Sequence, residues 1–205
     1  MTSGILLRSY KMTYDTGFAP NPYCEVLSLA TCKPGIRGCA RLGEWIAGFT
    51  SGQLCGDSPG YERLIYLMLV SEKIKFEDYY EQYPQKRPES CPCGDNIYRG
   101  LPNGGYEQIP NEHHNMCEFG DDTSTPFVLL AKEFYYFGRD AVPVPEEYRP
   151  NIPKSQAECG WKTEGKQAQD FIDWVRNVAA KGRHGLIGEP HGPNSKSCSK
   201  KKGKR

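Results

Sequence analysis

The alternation of apolar and polar positions predicts several β-strands in the first two thirds of the chain. Residues 5–12 and 25–32 alternate clearly, and residues 43–49 form a short strand-like stretch that contains two glycines. Residues 127–137 are also strand-like, and residues 63–73 are the most continuously apolar stretch. Since such runs are typical of strands that are buried on both faces, we expect residues 63–73 to be central in a sheet.

A helical period replaces this alternation near the C-terminal end. Residues 167–180 carry apolar side chains at a spacing of three and four, which predicts one apolar helix face. The residues of this face are Ala168, Phe171, Ile172, Val175, Val178 and Ala179. Shorter helices are predicted over residues 34–41, which begin with Pro34, and over residues 76–83, which end before another proline.

Three segments have the composition of loops. Gly, Pro and Asn over residues 15–22 predict an ordered turn-rich loop. Residues 84–125 are rich in Pro, Gly, Asn and Cys and are expected to be mostly loop, and a loop of this length usually binds something or is poorly ordered. Residues 181–205 have the composition of a disordered segment.

These elements together predict an α+β fold with a small, curved, mostly antiparallel sheet or open barrel and peripheral helices. We expect one domain over residues 1–150. Residues 151–182 would form a connector and an amphipathic helix that packs on that domain, and residues 183–205 a disordered basic tail.

The charge balance limits the partners that we expect. The chain of 205 residues has a formal net charge of +1, but residues 194–205 contain six Lys and Arg and no acid, so the remaining residues sum to 20 − 25 = −5. A mildly acidic body does not favour general polyanion binding. The basic end could hold phosphate non-specifically, although a solvated end is the simpler interpretation. The apolar run over residues 64–70 is too short for a bilayer and no signal core is evident, which predicts a cytoplasmic protein without a membrane partner.

Cysteine and histidine raise the question of metal binding. The chain has nine cysteines, an odd number without a secretory signal, and this does not favour a disulfide framework. Cys24, Cys32 and Cys39 have apolar or small neighbours and are interpreted as small buried hydrophobes. A loop contains enough ligands for zinc, namely Cys91, Cys93, His113, His114 and Cys117. Their spacing fits no standard zinc motif, so we predict no metal and identify no cofactor.

Several polar residues are candidates for ligand binding, and each has a structural alternative. Asp95 and Asn96 could present polar groups to a base or ribose, or cap a turn. Lys33 and Arg37 surround a Pro-Gly turn and could bind phosphate, or simply be solvated. Trp45 could stack on a base or belong to the core.

The segment around His114 supplies candidate acid and base groups. Glu112, Asp121 and Asp122 lie close to His114 in sequence, and a histidine beside a carboxylate can transfer protons. The chain has no GxGxxG, P-loop or Gly-x-Ser-x-Gly motif, which argues against the common dinucleotide-binding, P-loop and α/β-hydrolase classes.

Seven stretches, taken in order, resemble the nucleotide-modification-associated domain family of the second type. They are DTGFAPNP (15–22), LATCKPGIR (29–37), GEWIAG (43–48), RLIY (63–66), GDNIY (94–98), NEHH (111–114) and FYYFG (134–138). The resemblance covers roughly residues 5–150, with Glu44 as a departure where the family favours Asp. It implies a role in handling modified nucleotides or DNA in phage or bacterial systems. The order of elements is also similar to PUA-like and EVE-like folds, which bind nucleic acids or single modified bases.

The resemblance carries over no assigned catalytic residue, but it indicates positions that match shared motifs. They are Asp15, Asn21, Lys33, Arg37, Trp45, Asp95, Asn96 and His114.

Two functions are consistent with these residues. In a binding module for a modified base or nucleotide, Trp45 and a tyrosine (Tyr10 or Tyr98) would stack on the base while Asp95 and Asn96 read its polar edges. In an enzyme of base hypermodification, Asp15, Asp95 and His114 would be acid/base groups. The substrate-binding residues of the combined site would be Asn21, Lys33, Arg37, Trp45, Asn96 and Tyr98.

Overall fold

A computed structural model of the protein describes residues 4–91, 93–155 and 160–192. These residues form twelve β-strands and five α-helices. The strands are β1 (Leu6–Lys11), β2 (Leu27–Leu29), β3 (Trp45–Phe49), β4 (Arg63–Leu69), β5 (Glu72–Lys75), β6 (Tyr98–Gly100), β7 (Tyr106–Gln108), β8 (Phe127–Ala131), β9 (Phe134–Tyr136), β10 (Val142–Pro143), β11 (Trp161–Glu164) and β12 (Gly185–Leu186). The helices are α1 (Pro34–Cys39), α2 (Gly52–Cys55), α3 (Phe76–Gln82), α4 (Phe119–Thr123) and α5 (Gly165–Trp174).

The largest sheet has seven strands. Six follow the order β11-β1-β3-β4-β9-β12, and β10 also pairs with β4. The β1–β3 and β9–β12 pairs are parallel, whereas the other pairs of this sheet are antiparallel. The β1–β3 pair is parallel because the chain makes a long crossover between them, and that crossover contains β2 and α1.

A second, three-stranded sheet has the order β2-β8-β5, and β6 and β7 form a separate hairpin. Two runs that were expected to be single strands are each divided between the two sheets. Residues 63–73 become β4 in the first sheet and enter β5 in the second, and residues 127–137 become β8 and β9. The prediction of single strands was wrong because each apolar run is interrupted by a polar pair at the bend, Ser71-Glu72 in one run and Lys132-Glu133 in the other. At the first bend, the Ser71 N–H donates to the Leu130 carbonyl.

Three apolar clusters fill the layers between these elements. One face of the first sheet, with Ile46, Tyr66 and Met68, packs against the second sheet and α1. Its other face, with Trp45 and Leu67, packs against α5. The outer face of the second sheet is covered by α3 and by the loop that contains Phe18. Strands β3 and β4 are therefore buried on both faces, as expected for the most apolar run.

The predicted C-terminal helix is present but changes its pitch. Residues 165–174 are α-helical, and Val175–Ala179 form a π-helical turn in which Ala180 N–H donates to the Val175 carbonyl. Ala168, Phe171 and Ile172 are buried as predicted, whereas Val178 is 60% exposed. The wider turn rotates Val178 away from the apolar face, which a constant helical period could not predict.

The segment after this helix is ordered further than its composition suggested. Residues 185–186 form β12, which pairs in parallel with β9, and Arg139 N–H donates to the Glu189 carbonyl. The prediction of a disordered tail from residue 183 was therefore wrong for residues 183–192. Residues 193–205, which include the basic cluster, lie outside the described residues.

The observed class is α+β, with several sheets. No barrel closes within the described part of the chain, since β11 and β12 at the two ends of the first sheet each pair with one strand. Among the same residues, no helix has the length and apolar character needed to cross a membrane.

Candidate active site

A strained turn between β2 and α1 places Cys32 at the centre of a polar cluster. Cys32 and Lys33 both have positive φ angles, 56° and 44°, which is costly for residues other than glycine. The Cys32 N–H donates to Asp122 Oδ1 at 2.6 Å, and the Cys32 carbonyl accepts from Arg37 Nε at 2.8 Å. The surrounding structure therefore holds Cys32 in a conformation that this residue rarely adopts.

His114 lies between Cys32 and Asp122 and contacts both. Its Nε2 is 3.4 Å from Cys32 Sγ, and its Nδ1 is 2.8 Å from Asp122 Oδ2. The Tyr98 hydroxyl donates to the same carboxylate oxygen at 2.8 Å. A thiol, an imidazole and a carboxylate are thus hydrogen-bonded in series, which is the arrangement of a nucleophile, its base and the group that orients that base.

The loop between β7 and α4 fixes the position of His114. The Asn111 side-chain oxygen accepts from the N–H groups of His113 and His114 at 2.9 and 2.7 Å, and Gln108 donates to the His114 carbonyl. The Phe18 ring lies 4.9 Å from the imidazole, measured between ring centroids. Backbone and ring contacts therefore set the orientation of the imidazole in addition to Asp122.

Arg37 joins α1 to α4 and to the start of β8. Its guanidinium is fully buried and donates to the carbonyl oxygens of Cys32, Asp122, Thr125 and Phe127 at 2.6–2.8 Å. Four of its five N–H groups are used in this way. Arg37 therefore shapes the turn that carries Cys32 and holds α4, which carries Asp122, beside it.

The electrostatics of the cluster favour a charged imidazole. Burial alone would lower the pKa of His114, but the hydrogen bonds to Asp122 and Cys32 dominate and raise that pKa to about 10. At neutral pH both ring nitrogens then carry protons, so the imidazolium donates to the carboxylate and to the sulfur. A cationic histidine beside a cysteine is the environment in which cysteine nucleophiles are activated.

The same three side chains have atoms close enough for a metal ion. One ligand atom from each of Cys32, His114 and Asp122 lies within 4.8 Å of the others. The imidazole directs Nε2 to the Cys32 sulfur and Nδ1 to the Asp122 carboxylate. A metal bound by the sulfur and Nε2 would leave Asp122 as the partner of Nδ1.

A second Cys–His–Asp series lies around Asp15. The Asp15 carboxylate is fully buried and contacts His191 Nδ1 at 2.6 Å, and His191 Nε2 is 3.4 Å from Cys55 Sγ. The Tyr136 hydroxyl also donates to Asp15. Here burial raises the pKa of the Cys55 thiol, which disfavours a thiolate. We therefore interpret this series as the anchor of the C-terminal segment and place the candidate nucleophile at Cys32.

The structure does not bring the three candidate acid/base residues into one hydrogen-bonded group. Asp15 contacts His191, His114 contacts Asp122, and Asp95 accepts from the hydroxyls of Ser28 and Tyr79 at 2.7 Å each. Burial raises the pKa of Asp95, while the nearby Lys86 ammonium opposes the shift. Asp95 is completely buried and belongs to a network inside the protein.

Asn21 and Asn96 belong to that same interior region. The Asn21 side chain accepts from Lys86 Nζ at 2.8 Å and donates to the Cys93 carbonyl. The Asn96 amide donates to the carbonyls of Tyr79 and Tyr83. The Asn21 contacts tie the segment after α3 to the loop before β2. The Asn96 amide bonds carbonyls at the end of α3 and does not cap a turn of its own backbone.

Trp45 and Lys33 have very different surroundings. Trp45 is 4% exposed, packs in the cluster against α5 and has the Arg176 guanidinium 5.0 Å from its ring. Lys33 is partly exposed and directly follows Cys32. Two of the predicted substrate-binding residues lie at the Cys32 cluster and make no hydrogen bond through their side chains to a backbone carbonyl of the described residues. They are Lys33, which follows Cys32, and Tyr98, which donates to Asp122.

The sequence does not single out Cys32, because its apolar and small neighbours are typical of a simple buried cysteine. Asp122 is one of three carboxylates close to His114 in sequence, and both Glu112 and Asp121 are nearer. His191 was missed because it lies in a segment that was interpreted as disordered. The signal that could have identified Cys32 is its place between a strand and a Lys-Pro-Gly turn.

The five residues that were considered for zinc do not form a cluster in the structure. Within the described ranges, the group of side chains that could hold a metal ion contains His114 but none of Cys91, Cys93, His113 and Cys117.

Comparison with known proteins gives one family match. A family model described as nucleotide modification associated domain 2 matches residues 6–197. This range extends past the roughly 150 residues in which the shared motifs are evident, and it includes α5 and His191. Comparisons with curated proteins and with solved structures give no significant match.

Proposed function

The chain belongs to the nucleotide modification associated domain 2 family, and from this premise we propose that it is an enzyme in which Cys32 attacks a group carried by a nucleotide. His114 is the acid/base residue, and Asp122 is the positioning residue that orients it. The observation that carries the proposal is the hydrogen-bonded series from Cys32 Sγ through His114 to Asp122.

The chemistry that suits this series is acyl transfer or hydrolysis. The Cys32 sulfur attacks the carbonyl carbon of an acyl group that is linked to an amine of the nucleotide, and a C–S bond forms. As the C–N bond breaks, the His114 imidazolium protonates the departing nitrogen. Neutral His114 then removes a proton from water, whose oxygen attacks the thioester carbon, and the C–S bond breaks to release the carboxylic acid.

A module that stacks a base on Trp45 is less well supported. The indole is almost completely buried between the first sheet and α5, and Arg176 covers its ring. A base could reach it only if α5 moved away. Asp95 and Asn96 are also buried and already hydrogen-bonded, so the residues that were expected to read a base face the interior of the protein.

The first test measures how fast Cys32 is alkylated. We would treat the protein with iodoacetamide at pH 6 and follow each cysteine-containing peptide by mass spectrometry. We expect Cys32 to react at least about tenfold faster than the exposed Cys117, because an imidazolium lies beside the Cys32 sulfur and can activate it. His114→Gln should abolish the difference, and Asp122→Asn should reduce it.

Two results would count against the proposal. Equal alkylation of Cys32 in the wild type and in His114→Gln would show that the imidazole does not activate the sulfur. A stoichiometric zinc ion that protects Cys32 and is removed by a chelator would instead assign the cluster to a metal centre.

The second test looks for the covalent intermediate. Nucleotides that carry an acylated amine would be incubated with the protein and the intact mass recorded after acid quenching. An added acyl mass on the Cys32 peptide, absent from Cys32→Ala, is the expected result. A product formed at the same rate by Cys32→Ala would exclude covalent catalysis by this residue.

A further inference from the structure

Lys33 is partly exposed, and it differs from the buried cations in the described part of the chain. Arg37 donates to four carbonyl oxygens, and Lys86 donates to Val26 O and to two oxygens of Asn21. The remaining buried cations pair with carboxylates, Arg8 with Glu44 and Lys11 with Glu62. For Lys33, no described residue forms an ion pair with Nζ or accepts a hydrogen bond from it, and the ammonium lies 5.0 Å from the centre of the Tyr10 ring.

This environment leaves the Lys33 charge incompletely compensated. Burial lowers the pKa of Lys33 to about 8, although the neighbouring Cys32 opposes the shift. The contact with the tyrosine ring offsets part of the desolvation cost, but an anion would offset far more. Since Lys33 follows Cys32 directly and shares its strained turn, an anion on Nζ would lie beside the reacting sulfur.

We propose that Lys33 binds the phosphate of a mononucleotide, and that this phosphate places the acyl group of the substrate against Cys32. The inference rests on the proposed active site. One ammonium matches one phosphate. Duplex DNA, in contrast, is held by several cations that neutralise successive phosphates.

The charge distribution favours the mononucleotide over DNA. Arg37, the cation nearest to Lys33 in sequence, is fully buried and already donates to carbonyl oxygens, so it is not available for a second phosphate. Residues 1–193 carry a formal charge of −5, which repels a polyanion. A single phosphate with a small base needs no extended basic surface.

The test compares matched pairs of ligands on Cys32→Ala, which binds without turnover. Isothermal titration would measure deoxycytidine against dCMP, thymidine against dTMP, and 5-hydroxymethyldeoxycytidine against its monophosphate, with inorganic phosphate and a 12-base-pair duplex as further probes. We expect at least one monophosphate to bind about tenfold or more tightly than its nucleoside. Adding Lys33→Met to Cys32→Ala should remove the difference in affinity between monophosphate and nucleoside. Adding Lys33→Arg should retain part of that difference.

Lys181 supplies a matched control. It is also a lysine with a positive φ, 52°, but it is exposed and distant in sequence from the site. Lys181→Met should therefore leave the preference for the monophosphate unchanged. Circular dichroism of each variant would verify that it is folded.

Four outcomes would overturn the inference. Equal affinity for nucleoside and monophosphate would contradict a contact between Lys33 and the phosphate. A preference for the monophosphate that persists in Lys33→Met would contradict it as well, and so would an absence of binding by every phosphate probe at 10 mM. Tighter binding of the duplex, with a steep loss of affinity as salt increases, would assign the site to DNA. These results are distinguishable from failure of the proposed function, because binding to Cys32→Ala does not depend on the nucleophile and the alkylation assay does not depend on Lys33.

Discussion

Lys33 and Arg37 are four residues apart, yet we expect their substitution to affect stability to very different extents. Arg37→Lys leaves buried carbonyl oxygens of Cys32 and α4 without donors and should lower the free energy of unfolding by about 3 kcal/mol or more. Lys33→Met removes a charge that is poorly compensated and should change it by less than about 1 kcal/mol in either direction. Urea denaturation would measure both values, and a larger loss in Lys33→Met than in Arg37→Lys would contradict this assignment.

His114 should make the stability of the protein depend on pH in the alkaline range. Its pKa is about 10 in the folded protein and about 6.5 in an unfolded chain, so folding favours the protonated imidazole. This contribution is complete below about pH 6.5 and is lost as the pH rises towards 10.

The measurement is urea denaturation of the wild type and His114→Gln at intervals from pH 6 to pH 10. The wild type should lose stability relative to the variant across that range. Lys33 acts in the opposite direction between about pH 8 and 10.5, since its folded pKa is lowered, but it is present in both proteins and cancels in the comparison. Parallel curves for the two proteins would show that His114 is not held in its charged form.

Single residues of the site were only partly predictable. Lys33, Tyr98 and His114 were candidates because their residue types suit binding or proton transfer. The sequence could not show that Arg37 points at carbonyl oxygens, because the same guanidinium in a Pro-Gly turn could equally face solvent. It also could not pair His114 with Cys32, since the two are 82 residues apart and no periodic pattern relates them.

At the scale of elements, the positions of most strands and helices followed from hydrophobic period and from prolines. Strands β1 and β3 and helices α1 and α3 lie within or close to the predicted ranges. The division of two apolar runs between sheets did not follow, because the polar pairs at the two bends, Ser71-Glu72 and Lys132-Glu133, contain no Gly or Pro that would mark a turn. The hairpin β6–β7 and helix α4 were hidden within a segment whose Pro and Gly content indicated only loop.

The π-helical turn after α5 gives a direct test of how that helix packs. Ile172 and Val178 lie on the same predicted face, but Ile172 is 1% exposed and Val178 is 60% exposed. Ile172→Ala should cost about 2–5 kcal/mol of unfolding free energy through the lost packing. Val178→Ala should change it by no more than about 0.5 kcal/mol. Equal losses in urea denaturation would indicate that the helix continues with its ordinary pitch.

At the scale of the whole molecule, the segment around His191 packs against the N-terminal part of the chain and contacts the buried Asp15 carboxylate. His191 contacts the buried carboxylate through its ring and its N–H, and β12 adds to the edge of the first sheet. His191→Ala should lower the free energy of unfolding by about 1–3 kcal/mol, since a buried carboxylate loses a partner. In a chain of this size that corresponds to roughly 2–4 °C in Tm for each kcal/mol.

The exposed His184 provides the control for this prediction. His184→Ala should melt with the wild type, whereas His191→Ala should melt at a lower temperature. If both variants melt with the wild type, the contact with Asp15 contributes no stability and the segment is not an anchor.

The bond between Asp15 and His191 spans 176 positions of the sequence, and this has a consequence for biosynthesis. At about 5–20 residues per second, a ribosome makes the intervening chain in roughly 10–35 s. During that time the nascent chain has an acidic side chain without the histidine that covers it, and the strand that completes the first sheet does not yet exist. The last steps of folding must therefore follow the emergence of residue 191, and a ribosome stalled before that point would display an open first sheet.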